Sequence, residues 1–188
     1  GGEARAYLER RGLDRESTRN FGIGWAPADR RGLLTALAGQ GFSDALQVEA
    51  GLALAPEDGG QAFSRFRERV MFPIADAKGR IVGFGGRALG DIKPKYLNTA
   101  ETPLFAKGRL LYNFARARPA AQQRELMVVA EGYLDVIALD RAGIASVAPL
   151  GTAIGEEQLA LLWRAVPSPV ICLDGDAAGL RAAWRAAE

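Results

Sequence analysis

Pro169-Val-Ile-Cys-Leu-Asp-Gly-Asp-Ala-Ala-Gly179 sets an apolar run, Val170 to Leu173, directly against an acidic turn, Asp174-Gly175-Asp176. An Ala-rich helical pattern carrying Arg181 and Arg185 follows. Strand, acidic turn, helix: that order puts two carboxylates at the carboxyl end of a buried strand, where open α/β sheets place their ligand sites. Two acids one residue apart, with Gly175 permitting a tight backbone path between them, suit a hard divalent cation. The same residues suit an ordinary strand-to-helix turn in which Asp176 caps the helix.

Working outward, residues 126–130 read as another apolar strand, ended by Glu131-Gly132, and residues 133–142 as a helix with Val136, Ile137 and Leu139 on its apolar side. Residues 145–148 read as a strand, Gly151-Thr152 as a turn and residues 155–165 as a helix, before the strand at 169–173. Three strands alternating with helices imply parallel βαβ units with right-handed crossovers. Glu131 then ends the first strand and Asp174 the third, at one edge of the sheet, and Asp135 lies about one helical turn beyond Glu131. Glu131, Asp135, Asp174 and Asp176 are expected to converge. Carboxylates converging without histidine suit magnesium or manganese.

The chain has 188 residues, 48% of them hydrophobic, which suits one or two soluble domains with a real core. No apolar run approaches a membrane span, and the N-terminus carries no signal peptide. A helical pattern still running at Glu188 leads us to expect a segment of a longer protein. The single Cys172, inside an apolar strand, reads as a core thiol, so disulfides play no part. With no histidine, His-ligated zinc and Ser-His or Cys-His catalysis are excluded within the chain. Chemistry must run on carboxylates, Lys, Arg, Tyr, backbone or metal.

A net charge of +2 hides an asymmetry. Residues 1–60 hold 7 basic and 9 acidic side chains, residues 61–118 hold 12 and 4, and residues 119–188 hold 5 and 9. A basic middle followed by an acidic end suits an anionic polymer on one part and cations on the other.

The first sixty residues read as short helices at 3–13, 14–20, 33–38 and 44–50, with Asp14 and Ser43 as N-caps, a short strand at 21–26 and a loop at 56–60. From Phe63 the pattern turns to β. Residues 66–74 and 80–89 flank Asp76-Ala-Lys-Gly79, a hairpin with Gly79 left-handed. In Phe84-Gly85-Gly86-Arg87, glycines within a strand mark a bulge or close backbone approach that can aim Arg87 at a ligand. Lys95, Tyr96 and Asn98 set a cation, a ring and an amide side by side, able to meet phosphate, stack a base and bond an edge. In the most basic part of the chain, they favour single-stranded nucleic acid. Lys107-Gly-Arg109 extends that character. The expected architecture is α/β: a mixed α+β basic subdomain over residues 1–118, then a parallel-sheet α/β subdomain over residues 119–188.

These blocks carry a resemblance. Glu131-Gly-Tyr-Leu-Asp135, followed by Asp174-Gly-Asp176, resembles the TOPRIM signature shared by primases, topoisomerases and some nucleases. Arg65-Phe-Arg-Glu-Arg-Val-Met-Phe-Pro-Ile74, Gly83-Phe-Gly-Gly-Arg87, Pro94-Lys-Tyr-Leu-Asn98, Phe105-Ala-Lys-Gly-Arg109 and Tyr7-Leu-Glu-Arg-Arg-Gly-Leu13 resemble the catalytic core of bacterial replicative (DnaG-type) primases, in the family's order. The resemblance implies a DNA-directed RNA polymerase that makes short primers on single-stranded DNA from ribonucleoside triphosphates. It implies Glu131, Asp135, Asp174 and Asp176 as the catalytic acids, with Glu131, Asp174 and Asp176 as metal ligands. Arg87, Lys95, Tyr96 and Asn98 match the family's basic ridge for template and primer, with Arg11 and Lys107 matching less closely. Mg2+ or Mn2+ is the implied cofactor, with no zinc site in these residues. The implied setting is the bacterial replisome in the cytoplasm, with replicative helicase and single-strand-binding protein as partners of the longer parent. The family's further acidic pair, zinc ribbon and helicase-binding domain are expected outside these residues, so the chain alone is expected to polymerise poorly or not at all. The alternatives are a TOPRIM enzyme that cleaves phosphodiester bonds and a non-catalytic single-strand-binding module. A topoisomerase would need a nucleophilic tyrosine, and none of the four here is marked as one.

Overall fold

Short amphipathic segments punctuated by glycine build the first part of the chain. In the computed structural model, which describes residues 2–151 and 153–187, Gly2–Arg10 forms α1 and Arg15–Asn20 forms α2. Asp14 caps α2, its Oδ1 accepting from the Ser17 N–H at 2.7 Å. Phe21 still closes the last turn of α2, so β1 is only Gly24–Ala26, shorter than expected. Helices α3 (Gly32–Ala38) and α4 (Asp44–Glu49) follow, and Ser43 Oγ caps α4 by accepting from the Leu46 N–H at 3.2 Å. A ribbon of β2 (Ala53–Leu54) and β3 (Phe63–Ser64) brackets the loop.

Two longer strands, β4 (Arg69–Ala75) and β5 (Ile81–Ala88), are joined through the expected turn, where Gly79 has φ +82°. With β6 (Tyr96–Asn98) they complete a sheet in the order β1-β4-β5-β6, in which Arg87 lies opposite Tyr96 and Gly85 opposite Asn98. Val70, Phe72 and Ile74 are fully buried, as alternation along β4 requires.

A 3₁₀ turn at Lys107–Arg109 leads to β7 (Leu111–Tyr112), α5 (Phe114–Arg124), β8 (Val128–Val129), α6 (Tyr133–Arg141), β9 (Ser146–Pro149), α7 (Glu156–Ala165), β10 (Val170–Ile171) and α8 (Ala177–Ala187). The sheet order is β10-β8-β9-β7: β10, β8 and β9 run parallel, as the alternation predicts, and β7 adds an antiparallel edge. Successive residues of β9 serve opposite faces. Val147 packs in a core with Phe114, Ala117 and Ala121 of α5 and Leu162 and Ala165 of α7. Ser146 Oγ instead donates to the Val136 carbonyl of α6, at 3.1 Å. Helices therefore cover both faces.

The chain divides into two compact units, one of residues up to 73 with 83–105, the other of residues 74–82 with those from 106 onward. Two expectations need correction. The strand before Asp174 is not buried, because β10 lies at the sheet's edge and Val170 is 47% exposed. For the same reason Cys172 is exposed, not a core thiol, although its N–H still bonds the Val129 carbonyl at 2.8 Å. Thr152 of the expected turn and Glu188 lie outside the described residues. Among the described residues no helix is long and apolar enough to cross a membrane.

Candidate functional site

Parallel pairing of β8 with β10 brings the carboxyl ends of these strands side by side. Glu131 stands just past β8 and Asp174 just past β10, and the Asp174 N–H donates to Glu131 Oε2 at 3.1 Å. The contact runs from carboxylate to backbone, so it fixes one segment against the other without setting two charges together. The two remaining acids are turned onto their own helices. Asp135 Oδ2, in the first turn of α6, accepts from the Gly132 N–H at 3.1 Å, and Asp176 Oδ1 accepts from the Gly179 N–H at 2.8 Å, capping α8.

Two of the four carboxylates are thus engaged at the starts of their own helices. Among the described residues no group of three or more His, Cys, Asp or Glu side chains stands together as a metal site. Short acids at helix starts satisfy local amides first, and the cap reading of Asp176 holds. The acids do share one end of the sheet, and all four are exposed. Gly175 is not required by crowding, since a Cβ there would meet nothing within 4 Å. Gly179 is: a Cβ there would lie 2.1 Å from the Asp174 carbonyl oxygen.

The basic and aromatic residues of the first unit gather around β6. Lys95 is exposed and Tyr96 is 45% exposed. Arg87 is only 7% exposed. Its Nε donates to the Tyr96 hydroxyl at 3.0 Å, and its guanidinium lies 4.5 Å from the Tyr7 ring centroid and 5.5 Å from that of Tyr96. Arg11 lies over the Tyr7 ring at 5.7 Å. Burial pushes the Tyr7 phenol above its usual range, opposed by the charges of Arg87 and Arg11. Arg87 is thus held between two rings beneath the surface that Tyr96 presents. The Asn98 carbonyl is held by Arg65. Lys107 belongs to the second unit, half-buried, its carbonyl accepting from Gln158 Nε2 at 3.0 Å.

Tyr7, Arg65 and Arg69 were not singled out by the sequence reading, although all three lie in blocks it quoted. Their signal was spacing. Arg69 opens β4 against Gly86, where a Cβ would lie 2.9 Å from the arginine's Cδ, and Arg65 stands four residues before it.

Residues 1–118 match the family model described as DNA primase catalytic core, N-terminal domain, and residues 125–188 match a Toprim domain model. A DNA primase from Pseudomonas putida is 50% identical over 183 residues, which cover 97% of this chain and 28% of that protein. A solved DNA primase domain from Pseudomonas aeruginosa is 50% identical with a TM-score of 0.91, covering 97% of this chain and 57% of the other. A DnaG primase catalytic domain, solved bound to ssDNA, is 44% identical with a TM-score of 0.86, covering 98% and 59%. The chain spans about a quarter of the length of the curated relative it matches. With these matches running along the whole sequence and over the fold just described, the chain belongs to the DNA primase catalytic core family and carries a Toprim domain.

Proposed function

We propose that this chain forms the template-binding and nucleotidyl-transfer part of a primase, which joins ribonucleotides into short RNA primers on single-stranded DNA during replication. The observation that carries the reading is the meeting of Glu131 with Asp174 where two parallel strands end, in a chain of this family.

The donor chemistry fits a hard divalent cation. Glu131, Asp135, Asp174 and Asp176 are exposed oxygen donors. Among the described residues Glu131, Asp135 and Asp174 enter no ion pair. Glu131, Asp174 and Asp176 would hold magnesium or manganese, which when bound neutralises triphosphate charge and orients in-line attack. The chain's own residues do the rest. Glu131 accepts the proton of the attacking 3′-hydroxyl, and Asp135 braces the start of α6 beside it. Lys95 meets template phosphates, the Tyr96 ring stacks a base, and Asn98 bonds a base edge. Arg11 and Lys107 add phosphate contacts, and Arg87 supports Tyr96 from below. The ssDNA of the solved relative supports the same ligand here. Replicative helicase and single-strand-binding protein are the partners proposed with it, in the bacterial cytoplasm.

The reading is tested by incubating a primase carrying this sequence with single-stranded DNA, ribonucleoside triphosphates and magnesium or manganese. Short RNA products are expected. Cleaved DNA would replace the reading with a phosphodiester-cleaving enzyme, and binding alone with a non-catalytic module.

The buried arginine and the exposed lysine should also separate in their salt dependence. Lys95→Ala is expected to weaken single-strand binding and lower the salt slope by about one. Arg87→Gln, which removes the charge, is expected to weaken binding with the slope unchanged, because it costs ring support and no phosphate contact. Anisotropy titrations across a salt series check both. Equal slopes for the two variants would return Arg87 to the surface set.

A further inference from the structure

Residues 94–99 run along the free edge of the first sheet, and β6 within them is three residues long. An edge strand that short has few ladder bonds to hold its register. Side chains supply what the ladder lacks. Arg65 donates from both Nε and Nη2 to the Asn98 carbonyl, at 3.1 and 3.0 Å. Arg69 Nη1 lies among three carbonyl oxygens, at 2.8 Å from Pro94, 3.4 Å from Lys95 and 3.5 Å from Gly86. Thr99, fully buried, closes the far end: its Oγ1 accepts from the Phe84 N–H at 2.8 Å and donates to the Phe84 carbonyl at 3.2 Å. Gly86 leaves the passage for Arg69, since a Cβ there would come within 2.9 Å of the arginine's Cδ and 3.0 Å of Phe66.

Both arginines hold their charge without an acid. Among the described residues neither enters an ion pair, and Arg69 is only 4% exposed. Burial pulls both guanidinium groups below their usual range, and the Arg67 charge adds to the effect on Arg69. A neutral amide would satisfy the same carbonyls at less desolvation cost. A fixed positive charge behind the strand is explained when the strand's outer face receives an anion. A planar guanidinium also fixes its acceptors in direction, which a flexible ammonium does not.

We propose that Arg65 and Arg69 are positioning residues for single-stranded nucleic acid, gripping the carbonyls on either side of Tyr96 so that Lys95, Tyr96 and Asn98 meet the strand in a set register. The inference rests on the nucleic-acid reading of this segment and adds the residues that prepare it.

The test uses the whole chain with Arg69→Lys, Arg65→Lys, and each combined with Lys95→Ala. It measures amide hydrogen exchange along residues 95–99, the thermal midpoint, and affinity for an oligothymidylate. Each lysine variant is expected to speed exchange in this segment alone and to weaken binding about tenfold, with a much smaller loss when Lys95 is already alanine, as coupled sites require. Losses that simply add to that of Lys95→Ala, or faster exchange with unchanged affinity, overturn the positioning role. Should Arg69→Lys fail to fold, the half-buried Arg65→Lys carries the same comparison. A wild-type chain that binds no oligothymidylate overturns the nucleic-acid reading instead, whatever the exchange shows.

Discussion

Glu131→Gln, in a primase carrying this sequence, is expected to lower primer synthesis by about 10²–10⁴-fold, the usual contribution of a positioned acid or base, while single-strand affinity stays unchanged. Glutamine keeps the length of the side chain and a carbonyl oxygen able to accept the Asp174 N–H, now 3.1 Å from Glu131 Oε2. The join between the two strand ends therefore survives. What goes is the negative charge and the capacity to take a proton. Affinity is expected to hold because Lys95, Tyr96, Asn98 and Arg11 lie in the other unit of the chain, and the substitution leaves the Lys107 side chain unaltered. Primer yield under single-turnover conditions and anisotropy on the same preparation check the pair of outcomes. Unchanged synthesis would remove Glu131 from the reacting groups, and a parallel loss of binding and thermal stability would assign it a structural role.

The alternation of apolar strands with helices made the second unit's parallel sheet legible, because each strand ends at a polar turn and each helix starts just after it. Strand lengths were not legible. Residues 126–130 and 169–173 read as five-residue strands, yet the strands are only Val128–Val129 and Val170–Ile171, with ladder bonds reaching to Met127, Ala130 and Cys172. Apolar runs report burial and β preference, whereas pairing depends on a neighbour the sequence does not name. Helix α5 escaped notice for local reasons. Pro119 sits inside it, Asn113 enters it at φ 67° without a side-chain cap, and Arg116, Arg118 and Arg124 give it the look of a basic loop. Only its buried face of Phe114, Ala117 and Ala121, at helical spacing, marks it.

For the site, the end of the sheet was legible and the side-chain directions were not. That Glu131 and Asp174 meet follows from two parallel strands lying side by side. That Asp135 and Asp176 turn onto Gly132 and Gly179 depends on which free amides stand nearest at a helix start. Arg87 was legible as a functional candidate but not as a buried one, because its two rings come from Tyr7 and Tyr96, far apart in sequence.

Gly179→Ala is expected to damage the acidic turn more than any change to its neighbour Gly175. The added methyl would sit 2.1 Å from the Asp174 carbonyl oxygen and 3.0 Å from its carbonyl carbon. These are backbone atoms, which no side-chain rotation can clear. Two relaxations remain. Either Asp174 moves, disturbing its N–H bond to Glu131, or the first turn of α8 moves, breaking the 2.8 Å bond by which Asp176 caps it. Both shift an acid by roughly the distance at which misplacement costs about 100-fold in rate, so a loss of that size in primer synthesis is expected. Overpacking of this kind also costs about 1–3 kcal/mol of stability, readable in a urea titration. Gly175→Ala adds its methyl to open space and is expected to cost far less on both counts. Equal losses in the two variants would show that any side chain in the turn is harmful, and wild-type synthesis by Gly179→Ala would show that the chemistry does not depend on where the Asp174 backbone stands.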